Sequence, residues 1–113
     1  MARGSVPIRQ AAEMMETSAA DVEARLARGE LLGFEHDGVM LLPRWQFVQG
    51  TPLRPLAGIQ EIRSAFGGNI LALSKWALSP NSQLAGESPR DRLERGDPAA
   101  VLAALEAVGH AAS

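Results

Sequence analysis

The sequence predicts a mainly α protein: a helix-turn-helix with a small β-hairpin over the first half, followed by a bundle of short helices. Three observations carry this. Apolar residues recur at helical spacing in separate short segments along the chain. One Asp-Gly pair, Asp37-Gly38, lies between arms rich in β-forming residues. Proline and glycine fall where they would start and stop helices, not in their interiors. The expected organisation is a module over residues 1–50, a proline-rich connection over 51–58 and a helical domain over 59–113.

In VPIRQAAEMME, Pro7 suits a first helical position, and Ile8, Ala11, Ala12 and Met15 share a face, so a short amphipathic helix should end near Glu16. Thr17 or Ser18 then caps a second helix, SAADVEARLARG, with Val22 and Leu26 as its buried stripe and Gly29 as its terminator. Two helices joined by about three residues have the geometry of a helix-turn-helix. The hairpin follows, with Phe34, Val39, Leu41 and Leu42 on arms flanking the Asp37-Gly38 turn. Pro43 stops the second arm and opens a short helical turn over 44–47.

The connection VQGTPLRPLAG holds two prolines and two glycines, and its Leu53 and Leu56 should touch both parts of the chain. Beyond it, Ile59, Ile62 and Phe66 line one helix, and Gly67-Gly68-Asn69 breaks it, with Asn69 capping the next. That next helix, ILALSKWAL, has few polar positions and is expected to be largely buried until Pro80 ends it. Trp76 lies close to its end, with an indole donor that needs an acceptor. In SPNSQLAGESPRDRL, Asn81 is a cap, Gly86 a bend, Ser88 an N-cap, Pro89 a first helical residue and Asp91 an acid near the positive helix end. Leu93 anchors that short helix inward and Gly96 terminates it. Asp97 and Pro98 repeat the device for a last helix running to Gly109, after which HAAS reads as a frayed tail.

Composition narrows the function classes. Of 113 residues, 46% are apolar and 21% charged, which describes one small globular domain or two very small ones sharing a core. The absence of cysteine removes disulfides, thiol catalysis and cysteine-based zinc sites. No apolar run approaches the roughly 18 residues that cross a bilayer, and no signal-peptide core is seen, so a cytoplasmic location is expected. Eleven basic and 13 acidic residues leave a net charge of −2, so nucleic-acid binding would rest on local placement. His36 and His110 are far apart in sequence, and the consecutive strand residues Glu35, His36 and Asp37 point to alternating faces. Neither a catalytic centre nor a metal site is expected, nor a cofactor, since Phe66-Gly67-Gly68-Asn69 lies between helices and lacks the spacing of a phosphate-binding loop.

Residues 6–48 resemble the excisionase-like or MerR-like winged helix-turn-helix, through the A-A-E spacing at 11–13, the R-G-E-L that ends the second helix and the P-R-x-x-F after the hairpin. The resemblance implies a second helix in the DNA major groove and a wing along the backbone, with Ser18, Arg25, Arg28 and Arg44 as DNA-binding residues. Asp21 and Glu23 stand in the early turns of that helix.

Residues 58–108, with FGG-N-ILALSKW-x-x-SPN-x-x-L-x-G-x-SP-x-D-x-L-x-x-GD, resemble the toxin-binding domain of the Xre/MbcA/ParS antitoxins. The resemblance implies an antitoxin of a type II toxin-antitoxin system that neutralises a RES-type, NAD-consuming or related ADP-ribosylating toxin, as a homodimer that also represses its own operon. It implies toxin-binding roles for Trp76, Asn81, Leu84, Ser88, Arg90, Arg92, Arg95 and His110. Trp76 and Leu84 also read as core residues, Ser88 as a cap, and the three arginines as a solvated helix face with Glu94. The alternative function is a DNA-binding regulator whose helical half only mediates oligomerisation.

Overall fold

Local punctuation sets most of the elements. The computed structural model describes residues 4–112, with backbone alone over 108–112, and His110 therefore lies outside the described side chains. The described residues form six α-helices, α1 (Ile8–Met15), α2 (Ala19–Ala27), α3 (Ile59–Ala65), α4 (Ile70–Leu78), α5 (Pro89–Glu94) and α6 (Pro98–Ala112). Five short strands accompany them: β1 (Ser5–Pro7), β2 (Phe34–His36), β3 (Val39–Pro43), β4 (Phe47–Val48) and β5 (Arg54–Pro55). The chain is thus mainly helical with a small antiparallel sheet.

Ser18 and Asn69 cap α2 and α4 by accepting from the amides of Asp21 and Ala72. Helices α1, α2 and α5 all end in the same paired-bond closure, with Glu16, Gly29 and Gly96 in the left-handed region. In α5 the Gly96 amide donates to Leu93 and the Asp97 amide to Arg92. The hairpin turn also follows the sequence: Asp37 and Gly38 take φ of 51° and 77°, the two positive values that match the twist of paired strands.

Two elements differ from expectation at the chain's ends. Pro7 does not open α1; it ends a strand, β1, that pairs antiparallel with β3 in the register Ser5↔Pro43, Val6↔Leu42 and Pro7↔Leu41. The sheet order is β1-β3-β2, so Pro7 sits on an edge strand, where a missing N–H is tolerated. At the other end α6 runs past Gly109 to Ala112, because a single helical glycine costs only about 1 kcal/mol and alanines follow it.

The connection is folded, not a tether. β5 pairs with β4, the Leu53 amide donates to the Met14 carbonyl and the Leu56 amide to the Gln46 carbonyl. Leu53 is buried in a first core with Val6, Ala11, Val22, Leu42 and Phe47. Leu56 is buried in a second core with Ile59, Ile62, Leu73, Leu93 and Val101. The N-terminal half feeds both: Leu31 and Phe47 enter the first, Leu32 and Trp45 the second. A 3₁₀ turn over Arg44–Gln46 therefore lies at the seam, with the Gln46 side chain wholly buried and hydrogen-bonded to the backbone of Leu32 and Pro43.

Helix α4 is not largely buried. Leu73 and Ala77 enter the second core, whereas Leu71 and Leu78 are 54% and 56% exposed. The core covers one face of this helix and leaves the opposite apolar face open. No helix among the described residues is long and apolar enough to cross a membrane.

Candidate functional site

The segment from Ser79 to Asp97 closes on itself. Ser79 Oγ donates to the Lys75 carbonyl at 2.6 Å, which ends α4 before Pro80. Asn81 is the waist of the loop: its Oδ1 accepts from Gln83 N at 2.8 Å, its carbonyl accepts from Leu84 N and Gly86 N, and its own amide donates to the Glu87 carbonyl. Ala85 and Gly86, both at positive φ, reverse the chain at the tip. Ser88 Oγ accepts from Asp91 N at 3.2 Å, Pro89 occupies the first turn of α5, and Asp97 Oδ1 accepts from Ala100 N at 3.3 Å. Leu84 and Leu93 are buried beneath.

The two arginines of α5 and Arg95 at its C-cap separate into different tasks. Arg90 donates to the Trp45 carbonyl at 3.2 Å and the Phe47 carbonyl at 3.0 Å, and pairs with Glu94 at 2.6 Å. It bolts α5 to the N-terminal half, and its side chain is only 17% exposed. Arg92 turns back into the loop, donating to the Leu84 carbonyl at 3.1 Å and pairing with Glu87 at 2.6 Å and Asp97 at 3.4 Å. Arg95 also reaches Glu87, at 2.8 Å, but its side chain is 66% exposed. Hydrogen bonding from Arg92, then from Arg95, holds the Glu87 carboxyl below the usual glutamate range, and the same pairing raises Arg92. The outward surface left by this network is Ser82, Gln83, Ala85 and Gly86 at the tip, with Asp91 and Glu94 on α5 and Arg95 at its C-cap.

Trp76 is half-buried against Phe66, with ring centroids 6.3 Å apart at 42°. Its Nε1 is buried without an acceptor among the described residues, so the acceptor expected for the indole is not supplied there. A second indole, Trp45, had no sequence signal; its Nε1 donates to Ser74 Oγ at 2.8 Å and joins the 3₁₀ turn to α4. Gln46 and Glu87 were equally invisible in sequence, because their partners lie in other elements.

The residues implied for DNA contact make no hydrogen bond or ion pair with this loop among the described residues, although Arg44 adjoins Trp45, whose carbonyl Arg90 holds. Ser18 is occupied as the α2 cap. Arg25 pairs with Asp21 at 3.0 Å, and Arg28 with Glu30 at 2.6 Å, which holds the Glu30 carboxyl below its usual range. The exposed positions of α2 are Ala19, Ala20, Glu23 and Ala27, and Arg28 follows at its end. Arg44 is exposed and forms no ion pair among the described residues. His36 lies 3.4 Å from Asp37 at the hairpin turn, and no group of three His, Asp or Glu side chains converges on a metal position among the described residues.

No protein-family profile, no curated protein and no solved structure matches this chain.

Proposed function

We propose that the chain is the antitoxin of a type II toxin-antitoxin system, acting in the cytoplasm, and that the loop from Ser79 to Asp97 with α5 and α6 is the surface that binds a RES-type, NAD-consuming or related ADP-ribosylating toxin. The observation that carries this reading is the internal fixing of the loop. Asn81, Glu87 and Arg92 satisfy one another and the backbone, so the tip is held in one shape without help from a partner. A surface ordered in advance loses less conformational entropy on binding. The resemblance of residues 58–108 supplies the class of partner.

The test is co-expression with the adjacent toxin-like open reading frame, followed by affinity purification and an assay of NAD turnover. A stable complex with suppressed turnover is expected. Failure to co-purify, with toxin activity unchanged, would sink the reading.

A second reading, a DNA-binding regulator or an antitoxin that represses its own operon, draws on the packing of α1 against both α2 and the β3 arm of the hairpin and on the exposed Arg44, which forms no ion pair among the described residues. The ion pairs of Arg25 and Arg28 weigh against α2 as its reading helix, because each would have to be exchanged for a phosphate. Gel shifts with the upstream region decide it: sequence preference at moderate salt, weakened by Arg28→Ala, supports it, and no preference removes it.

A further inference from the structure

An apolar groove of about 370 Å³ lies between the three-stranded sheet and helix α4. Phe34, Pro43 and Trp45 line it from one side, and Leu71 and Leu78 from the other. The two leucines stand two turns apart, about 10 Å along the helix axis, so the groove is elongated along α4. Both are more than half exposed, and no side chain of the chain covers them. The volume matches that of about a dozen water molecules in the liquid and falls within the range of small-molecule sites.

Three polar side chains interrupt this apolar lining. Ser74 Oγ accepts from the Trp45 indole at 2.8 Å and ties the two walls together. Ser5 lies opposite Pro43 in the β1–β3 register and so shares its face of the sheet, while the neighbouring Val6 turns into the first core. It is only 7% exposed, and its Oγ is buried with no hydrogen-bond partner among the described residues. A hydroxyl in that position costs free energy until an acceptor arrives. Lys75 is the one charged residue on the lining, and it forms no ion pair among the described residues. Glu35 and Arg63 line a neighbouring hollow beyond Phe34 and Leu71, and neither lines this groove.

We propose that the groove binds one small organic anion, a medium-chain monocarboxylate, with its acyl chain extended along α4 between Leu71 and Leu78 and against Phe34 and Trp45. The carboxylate meets the Lys75 ammonium and accepts from the Ser5 hydroxyl. A cationic head would oppose Lys75, and an uncharged one would forgo its attraction. The long apolar floor selects a chain over a compact polar molecule. None of the lining residues belongs to the Ser79–Asp97 loop or to the residues implied for DNA contact, so the proposal stands apart from the toxin and operator readings.

The test is calorimetric titration of the full chain with decanoate, with decanol and decylamine as head-group controls. Decanoate should bind one per chain with a Kd of about 10–100 μM, the range for a ligand of about a dozen non-hydrogen atoms, and each control should bind at least about tenfold more weakly. Lys75→Met keeps an apolar stem and removes the charge, so it should weaken decanoate about tenfold and leave decanol unaffected. Ser5→Ala removes a buried hydroxyl that has no partner, so this variant should fold at least as stably as the wild type and yet bind decanoate about threefold or more weakly. In Trp76→Phe, Trp45 is the one remaining indole, and its emission should shift as decanoate saturates. Absence of saturable binding, or uptake of several molecules per chain, overturns the proposal and leaves the groove to a protein partner. Equal affinity for decanol, or wild-type affinity in Lys75→Met, overturns the anionic head. Wild-type affinity in Ser5→Ala, or unchanged Trp45 emission, overturns the placement in this groove.

Discussion

Gln46 and Leu32 exchange two hydrogen bonds as though they were neighbours in a sheet. The Leu32 amide donates to Gln46 Oε1 at 2.8 Å, and Gln46 Nε2 donates to the Leu32 carbonyl at 2.9 Å and to the Pro43 carbonyl at 3.0 Å. A side-chain amide thus completes the backbone pairing of a residue that points into the second core. Gln46→Leu has similar volume but would leave two carbonyls and one amide buried without these partners, at an expected cost of about 2–4 kcal/mol. Gln46→Glu keeps the acceptor and loses the donor, and at neutral pH it buries a charge, so it should destabilise at least as much. Urea unfolding of both variants checks this, and a loss below about 0.5 kcal/mol would contradict the role given to the amide.

Arg90 has a comparable task between the halves of the chain. Removing it leaves the Trp45 and Phe47 carbonyls without its guanidinium and frees Glu94, so Arg90→Ala should lower stability by about 1–3 kcal/mol. Arg90→Lys should recover only part of this, since a single ammonium lacks the planar fork that reaches two carbonyls and a carboxylate together. Thermal unfolding of the two variants distinguishes the bolt from a simple positive charge, for which lysine would suffice.

Much of the fold was legible because it is written locally. The caps at Ser18, Asn69, Ser88 and Asp97 each bond to the amide three residues on, and the Asp37-Gly38 turn is decided by its own two dihedral pairs. What escaped the sequence depends on distant partners. β1 is three residues long and carries no alternation of its own; only β3 makes it a strand. Arg90 looks like a solvated arginine until the seam brings Trp45 and Phe47 to it. The composition of α4 suggests burial all round, but a small chain has too few elements to cover both its faces, and Leu71 and Leu78 remain outside.

The loop should respond to acid through Glu87. Its carboxyl sits below the usual range in the folded chain because Arg92 and Arg95 donate to it, and the unfolded chain lacks that arrangement. A carboxylate depressed on folding adds stability that is fully present above the unfolded value and is lost as pH falls through the folded one. Glu30, depressed by Arg28, acts in the same direction. The urea midpoint should therefore decline as pH falls from about 6 to 3, and Glu87→Gln should flatten part of that decline. An unchanged acid limb in Glu87→Gln would show that the Arg92–Glu87 pair does not lock the loop.

Recognition by the loop can be separated from its architecture with the arginines of α5 and its C-cap. Arg95 is the exposed one, and its single contact with Glu87 duplicates the one that Arg92 makes from a more sheltered position. Arg95→Ala should therefore change stability by no more than about 0.5 kcal/mol. If the outward face of α5 meets the proposed toxin, the same substitution should weaken the complex about tenfold or more, as truncation of an interface arginine does. Arg92→Ala should show the reverse order of effects, with the loop loosened first and affinity falling because the tip is no longer held in one shape. Calorimetric titration against the co-purified toxin, alongside unfolding of each variant alone, reads both quantities. Wild-type affinity in Arg95→Ala would move the contact surface off α5 and toward Ser82 and Gln83 at the tip.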